Sequence, residues 1–350
     1  AWGMSTGLIY VPSSFASTEE ITEIARIVAD GGGIYASHIR GEGTSLLTAV
    51  DEALRIGRDA GLPVHISHFK AAGRSAWGLV REATRTIEAL RAEGQIVTAD
   101  QYPYIASSTS LGATVLPNWA REGGSKELRK RLATRRDEMR ELISDAIERA
   151  DRGAAIRIAR YSQSPEWVGM NLAAISEKTR RPIVDIAVEI LNNGGASIVK
   201  FSMNEQDVRH VMKHDWVATA SDGGVKLPGA TKPHPRNYGT FPRKLAYYSI
   251  KENVIPLEQA VWSMTGLPAQ ILAMRDRWYI RDGLVADLAV LNPKTLKDTA
   301  TFDEPHQYSE GIAYVFVNGK PALVNGSPTG VLAGKSLRFQ GREPKTQRKE

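Results

Sequence analysis

The 350-residue sequence predicts an α/β fold in which helices cover a parallel sheet. Between residues 17 and 104, helical and strand patterns alternate in units of about 30 residues, the length of one helix-and-strand unit. Polar side chains follow the ends of successive predicted strands. Beyond residue 276 the helical period disappears, and short strand patterns replace it. The sequence therefore predicts a large α/β portion followed by a small β portion.

The first elements repeat one unit three times. Residues 17–33 open with a Ser-Thr cap, carry acidic residues in the first turn and end in glycines, which is typical of a helix. The apolar segment 34–39 then predicts a buried strand. The next two helix and strand pairs are predicted at 44–61 with 63–69 and at 77–94 with 96–104.

Residues 105–200 interrupt this regularity and are predicted to form an insertion with substrate-facing loops. The insertion contains a charged helix at 126–149, a short strand around 155–161 and a helix at 180–195. One more core strand is predicted at 216–224, and an amphipathic helix at 257–274.

The tail predicts a small β unit. Its Asn-Gly pairs at 318–319 and 325–326 favour two-residue hairpin turns. We therefore divide the chain into an α/β portion of residues 1–275, which includes the insertion, a β portion of residues 276–336, and a flexible polar tail of residues 337–350.

Composition excludes several classes of protein. The net charge is +6 and the predicted pI about 9.4, but the basic residues are mixed with acidic ones and form no nucleic-acid-binding motif. There is no cysteine, so this chain supplies neither disulfides nor thiolate ligands. No apolar run approaches the length of a membrane span. We expect a cytoplasmic protein that binds neither nucleic acid nor membrane and acts on a small molecule.

Side chains suited to metal chemistry follow the predicted strands. His38 and His68 end adjacent strands, Tyr102 ends the next one, and Asp222 ends a later one. In an α/β barrel the carboxyl ends of the strands form the rim where catalytic groups converge. Because neutral imidazole is a good zinc ligand, the pattern predicts a metal site with a carboxylate nearby. A lone histidine in such a place would instead be a hydrogen-bonded structural residue.

Other polar residues receive structural interpretations. Strand alternation places His65 on the opposite face from His68, towards the helical layer. His210 and His214, four residues apart, are predicted to lie on a solvated helix face. We expect Arg40 to form a salt bridge at the rim, with Glu42 as the candidate partner, and a substrate contact is the alternative.

The loop 221–243, which is dense in glycine, proline and cationic residues, predicts a functional segment. Its Arg236 has the planar fork that binds a carboxylate, and a purely structural role is the alternative.

Several ordered motifs together resemble a known family. They are STGLIYVP, GIYASHIR, PVHISHFK, TADQYPY, ASDG and HPRNYGTFPR, followed by a tail that contains GLVADLAVLNP and FDEPHQYSEGIAYVFVNG. From residue 1 to about 336 the chain resembles the N-acyl-D-amino-acid deacylases, or D-aminoacylases, of the amidohydrolase superfamily. The resemblance implies the later portion of a (β/α)8 TIM-type barrel with a small C-terminal β-sandwich segment.

The resemblance also implies a chemistry and a set of site residues. Family members use one or two Zn²⁺ ions to hydrolyse the amide of N-acyl-D-amino acids. Matched by motif, His38 and His68 are zinc ligands, and Asp222 is the general base and then the general acid. The residues implied to hold the substrate carboxylate and shape the pocket are Arg236, Lys70, Tyr10 and Tyr102.

One departure from the family pattern limits this assignment. Family members also carry a His-X-His pair on the first barrel strand and a cysteine that binds zinc, and neither occurs in this sequence. We expect a second polypeptide, from a separate subunit or a processed precursor, to supply the earlier strands; a truncated chain is the alternative. Two other functions stay open: a cyclic amidase or dipeptidase of the same superfamily, and a non-catalytic half-barrel subunit.

Overall fold

This computed structural model, which describes residues 1–341, contains a five-stranded parallel sheet. In sheet order its strands are β1 (Gly3–Gly7), β2 (Ile34–His38), β3 (Val64–Ile66), β4 (Val97–Gln101) and β8 (Val217–Thr219). The parallel sheet predicted from the sequence is confirmed, although β1 was not predicted as a strand. Part of the predicted tail, residues 342–350, lies outside the described residues.

Three helices follow the predicted units: α1 (Thr18–Asp30), α2 (Leu46–Ala60) and α3 (Val80–Ala92). The Ser17 side chain accepts a hydrogen bond from the Glu20 N–H and caps α1. Gly61 ends α2 with a φ of 74°, a conformation that favours glycine. The predicted Ser17 cap therefore begins α1, and the predicted glycine ends α2.

The two faces of the sheet differ in character. Tyr35, Val64 and Val97 are aligned across three strands, and each is at most 1% exposed in the core shared with the helices. Each fully buried aliphatic side chain contributes about 1.5–3 kcal/mol. Their strand neighbours Ala36 and His65 point to the opposite side, which we call the inner face.

The region predicted as an insertion contains a second, antiparallel sheet. It comprises, in order, β5 (Ala106–Ser110), β7 (Ser197–Phe201) and β6 (Ile156–Arg160). Only β6 was predicted. The domain division itself stays a prediction.

Six helices accompany this sheet: α4 (Leu111–Val115), α5 (Asn118–Arg121), α6 (Gly124–Thr134), α7 (Arg136–Arg149), α8 (Leu172–Thr179) and α9 (Ile183–Asn192). The charged segment predicted as one helix over 126–149 is two helices. At Arg135 the backbone leaves helical geometry, with φ −118° and ψ 44°, which separates α6 from α7.

The remaining helical segments lie before and after β8 in the chain. They are α10 (Glu205–Val211), α11 (Arg236–Arg243), a π-helix (Lys244–Lys251), α12 (Leu257–Met264) and α13 (Gly266–Ile271). Short 3-10 turns occupy Ser13–Phe15, Arg74–Ala76, Asp151–Gly153 and Pro165–Trp167. The single helix predicted over 257–274 is broken at Thr265, whose φ of −130° and ψ of −81° are not helical. Within residues 1–341, no helix has both the length and the apolar character needed to cross a bilayer.

The C-terminal strands form a separate antiparallel sheet in the order β12 (Ser327–Pro328), β11 (Lys320–Val324), β10 (Ile312–Val317) and β9 (Leu288–Leu291). Both predicted hairpin turns are confirmed. Asn318 and Gly319 join β10 to β11 with φ values of 48° and 74°, and the pair at 325–326 joins β11 to β12. Positive φ at two consecutive residues matches the twist of a tight hairpin.

Candidate metal centre

Two histidines meet at the carboxyl edge of the five-stranded sheet. His38 is the last residue of β2, and His68 follows the end of β3 by two residues. The centroids of their imidazole rings are 4.3 Å apart, with the ring planes at 71°. The structure therefore brings together the two residues that the sequence predicted as metal ligands.

Glu42, which was predicted from the sequence only as a partner of Arg40, is a third side chain at this edge that can bind metal. Its Oε1 atom lies 3.1 Å from His68 Nδ1 and 3.8 Å from His38 Nε2. The three ligand atoms lie within 4.8 Å of one another, and no other such group of three occurs in residues 1–341. The sequence feature that could have identified Glu42 as a ligand is its position, four residues after His38 in a loop between two glycines.

Arg40 forms the predicted salt bridge, but Glu42 as its partner was wrong. Arg40 pairs with Glu52 instead, through Nε to Oε2 at 2.8 Å and Nη2 to Oε1 at 2.7 Å. Its guanidinium also donates to the carbonyls of Ser14 and Ala16. The planar guanidinium of Arg40 therefore pairs in a bidentate way with Glu52 on α2. Glu42 is not bound by Arg40 and contacts the histidines.

The His38–Glu42–His68 group has the properties of a divalent metal site. His38 Nε2 is buried and has no hydrogen-bond partner among the described residues. Burial, followed by the charges of His68 and Lys70, lowers the pKa of His38 from 6.5 to about 4, although Glu42 opposes the shift. The neutral imidazole that results is the form that binds metal. Two histidine nitrogens and a carboxylate oxygen suit zinc, so the residues present fit that ion.

Lys70 lies inside this group. Its Nζ atom is hydrogen-bonded to Glu42 Oε1 and lies 2.7 Å from both His68 Nδ1 and the His68 carbonyl oxygen. Burial lowers the pKa of the Lys70 ammonium, but the charge of Glu42 outweighs it, so the pKa lies above its ordinary value. The site therefore stabilises a cation, and the Lys70 ammonium contacts two of the three candidate metal ligands.

Asp222 and Arg236 form a neighbouring ion pair. Arg236 Nη1 lies 2.9 Å from Asp222 Oδ2, with the arginine side chain 7% exposed and the aspartate 39% exposed. The Asp222 backbone has a φ of 45°, so it turns sharply just beyond β8. The carboxylate predicted as the base is thus accessible to solvent and held by a buried cation.

Tyr102 connects the two clusters. The centroid of its ring lies 5.7 Å from Lys70 Nζ and 4.6 Å from the Arg236 guanidinium carbon, distances typical of cation–π contacts. Its hydroxyl is buried and has no partner within residues 1–341. Tyr10 lies on the other side, with its ring centroid 5.0 Å from that of His38 and its hydroxyl 3.2 Å from Thr109 Oγ1. All seven sequence-predicted site residues therefore lie in one continuous region.

The prediction that His65 faces the helical layer was wrong. His65 is aligned with Ala36 and Thr98 on the inner face, where its Nε2 lies 2.8 Å from Asp100 Oδ2. The alternation argument failed because β3 ends at Ile66, and His68 has a φ of 40° that no regular strand contains. Asp100, two residues before Tyr102, was not singled out from the sequence.

The other histidines have structural partners. His214 Nδ1 lies 2.7 Å from Glu88 Oε1, and His210 Nε2 lies 2.9 Å from Thr84 Oγ1, so this pair joins α10 to α3. His306 Nδ1 lies 2.9 Å from the Tyr238 hydroxyl oxygen, and its Nε2 lies 2.8 Å from the Thr231 carbonyl oxygen. The prediction of a solvated helix face for His210 and His214 was therefore wrong, because both side chains are partly buried against α3.

A cavity of about 400 Å³ adjoins the Asp222–Arg236 pair. Arg160, at the end of β6, and Lys226, in the loop after β8, also line it. The cavity lies between the strands of the antiparallel sheet and the segment that follows β8. Its size is in the range of small-ligand pockets.

Comparisons with known proteins agree with this architecture. The chain is 37% identical to a D-aminoacylase of Alcaligenes xylosoxydans xylosoxydans over 337 residues, which is 96% of this chain and 61% of the relative. A crystal structure of D-aminoacylase, 35% identical, superposes with a TM-score of 0.76 over 95% of this chain and 62% of that chain. The fold expected from the resemblance, a TIM-type barrel portion with a C-terminal sheet, is confirmed. The chain spans about three fifths of the length of these relatives.

A solved relative contains metal. The N-acyl-D-glutamate deacylase of Bordetella bronchiseptica, in complex with zinc and a phosphonate that mimics the tetrahedral intermediate, is 32% identical. It superposes with a TM-score of 0.76 over 95% of this chain and 63% of that chain. The sequence profile of the Amidohydrolase family matches residues 19–323. This chain belongs to the amidohydrolase family.

Proposed function

We propose that the protein containing this chain is a zinc-dependent hydrolase that converts N-acyl-D-amino acids to a D-amino acid and a carboxylate. The observation that carries the proposal is the His38–Glu42–His68 group with its unpartnered, buried His38 Nε2. The D-aminoacylase and N-acyl-D-glutamate deacylase relatives support the substrate class by their names.

The residues of the group divide the chemistry among them. His38 and His68 would hold a zinc ion, with Glu42 as a further oxygen ligand. An ion held there would supply activation of water and polarisation of an amide carbonyl. Asp222 accepts the proton of the attacking water and delivers it to the departing amine nitrogen as the C–N bond breaks. Its carboxylate is accessible to solvent, and the 2.9 Å contact with Arg236 Nη1 orients it.

The substrate carboxylate is bound by cations in the same region. Arg236, which lies over Tyr102, presents the planar fork that carboxylates favour, and the unpartnered Tyr102 hydroxyl lies beside it. Tyr10 closes the side next to His38. Lys70 would contact the substrate only if its hydrogen bond to Glu42 broke. A zinc ion bound to Glu42 would weaken that hydrogen bond.

The expectation of a second polypeptide receives no support from the comparisons. In the relatives, the matched region and the remaining length belong to one chain. The expectation stays a prediction, and the intact mass of the native material tests it. A single species longer than residues 1–350 would contradict it.

The reaction is tested with paired substrates. The native protein that contains this chain should release acetate from N-acetyl-D-amino acids and leave the L-enantiomers intact. A preference for L-substrates or cyclic amides would instead identify another branch of the superfamily.

A variant of Asp222 tests whether this chain is catalytic or a non-catalytic half-barrel. Asp222→Asn should keep zinc and lose turnover by at least about a hundredfold, the usual contribution of general acid–base catalysis. Unchanged turnover would assign this chain a structural role.

A further inference from the structure

His65 and Asp100 form a pair on the inner face that the proposed mechanism does not use. His65 Nε2 lies 2.8 Å from Asp100 Oδ2, and His65 Nδ1 lies 2.8 Å from Thr98 Oγ1. Both side chains are largely buried, at 12% and 15% exposed. The second carboxylate oxygen, Oδ1, accepts a hydrogen bond of 2.7 Å from the backbone N–H of His68. One carboxylate therefore joins a buried histidine to the backbone of a candidate metal ligand.

His68 needs such support because of its position in the chain. Strand β3 ends at Ile66, and a regular continuation would turn residue 68 to the same face as Ile66, towards the helices. The ring reaches His38 because the backbone of His68 adopts a φ of 40°. A left-handed conformation is unfavourable for a residue with a Cβ atom, and it persists only where the surroundings hold it.

We infer that Asp100, held in place by His65, is the positioning residue that turns the His68 backbone so that its imidazole faces His38 and Glu42. The backbone of Asp100 contributes as well, because its carbonyl accepts the N–H of Phe69 at 2.8 Å. Consecutive N–H groups, at 68 and 69, are thus bound by one residue of the neighbouring strand. The role of Asp100 in holding the His68 backbone rests on these contacts. Its role in metal binding rests on the proposed metal site.

The electrostatics favour this arrangement. Burial raises the pKa of Asp100, but the hydrogen bond and charge of His65 outweigh it, together with contributions from His68, and the pKa lies below its ordinary value. Asp100 is therefore a carboxylate, and charge-assisted hydrogen bonds to a carboxylate are stronger than neutral ones. Groups that orient metal ligands in this way typically change metal affinity 10- to 100-fold when they are removed.

The first test needs no metal. In the metal-free chain, the His68 amide should exchange with deuterium at least about tenfold faster in Asp100→Ala than in the wild type. Asp100→Asn keeps an oxygen acceptor for that amide and should give a smaller increase. Glu88→Gln is the matched control, because Glu88 also pairs with a histidine at 2.7 Å, but away from the group, and it should leave the His68 amide unchanged.

The second test measures Zn²⁺ affinity by competition with a chelator and the Co²⁺ absorption spectrum, neither of which depends on activity. Asp100→Ala should weaken Zn²⁺ binding about 10- to 100-fold and change the Co²⁺ bands. His65→Gln should act in the same direction with a smaller effect, and Glu88→Gln should match the wild type. If Asp100→Ala does not fold, amide exchange and Zn²⁺ affinity are measured in His65→Gln and Asp100→Asn instead.

The outcomes separate this inference from the proposed function. Faster exchange at His68 with weaker zinc binding supports it, and unchanged exchange in Asp100→Ala overturns it. Faster exchange with undiminished zinc affinity also overturns it, because His68 would then need no positioning. If the wild type binds no zinc at His38 and His68, the proposed function fails, and exchange alone decides whether Asp100 holds the His68 backbone.

Discussion

His234 shows how a single buried side chain fixes the loop that carries Arg236. Its Nε2 donates to the Ala106 carbonyl at 2.8 Å, and its Nδ1 accepts the Arg236 N–H at 3.0 Å. The loop after β8 is therefore tied to β5 through one imidazole that must stay neutral. Burial, and after it the charge of Arg236, lowers the pKa of His234 to about 3.

This shift predicts a pH dependence of stability. An unfolded histidine titrates near pH 6.5 and the folded one near 3, so the stability contributed by neutral His234 is complete above pH 6.5 and is lost as the pH falls towards 3. As the pH falls through this window, the free energy of unfolding of His234→Gln should decrease less steeply than that of the wild type. The two slopes should differ by up to about 1.4 kcal/mol per pH unit. Urea unfolding at several pH values measures both slopes. Above pH 7 the two curves should run parallel, and equal slopes below pH 6 would contradict the assignment.

Lys70 gives a second prediction at the residue scale. In Lys70→Met the buried Glu42 carboxylate loses its cation, and the metal-free protein should lose about 3–5 kcal/mol of unfolding free energy. Zinc should restore part of this loss because a divalent ion replaces the ammonium. Lys232→Met is the control, since its pair with Glu304 is largely exposed and is worth at most about 1 kcal/mol. Equal losses in both variants, measured by urea unfolding, would show that Lys70 and Glu42 are not a buried pair.

At the scale of elements, α2 packs closely against β3 through Gly57. A Cβ atom at this position would lie 2.0 Å from Val64 Cγ2 and 3.2 Å from the Leu62 carbonyl. Gly57→Ala should therefore destabilise the fold by about 1–3 kcal/mol through overpacking, although alanine has the higher helix propensity. Arg58→Ala, on the exposed side of α2, should change stability by less than about 0.5 kcal/mol. A stabilised Gly57→Ala protein, judged by thermal unfolding, would mean that α2 and β3 are further apart.

The sequence predicted elements well where local signals dominate and poorly where pairing partners decide. Helices α1 to α3 and both Asn-Gly turns have caps, glycines and periodicity of their own. Strand β5, with the sequence ASSTS, has no apolar alternation from which a strand could be predicted. Its conformation is determined by the ladder of hydrogen bonds with β7. The charged segment 126–149 has continuous helical character, so the break at Arg135 left no clear trace in the pattern.

At the scale of the whole molecule, the sequence predicted which strand ends meet but not which loops return to them. His38 and His68 could be assigned because parallel strands share one carboxyl edge. Glu42 could not, because its place depends on how the loop after β2 turns back. His65 was assigned to the wrong face because the length of β3, which sets the alternation, is a property of the sheet.

Metal binding should couple this edge of the sheet to the stability of the entire chain. Because an ion held by His38, Glu42 and His68 bridges β2, its following loop and the segment after β3, it binds only the folded protein. Zinc at about 100 times its dissociation constant should raise the unfolding free energy by about 2.7 kcal/mol, and a chelator should reverse the increase. The double variant His38→Ala, His68→Ala should abolish it in thermal unfolding. The matched double variant His210→Ala, His214→Ala removes two imidazoles whose Nε2 atoms lie 3.4 Å apart, away from the candidate metal centre, and should retain the increase. An increase that persists in the first double variant, or vanishes in the second, would place the zinc elsewhere on the molecule.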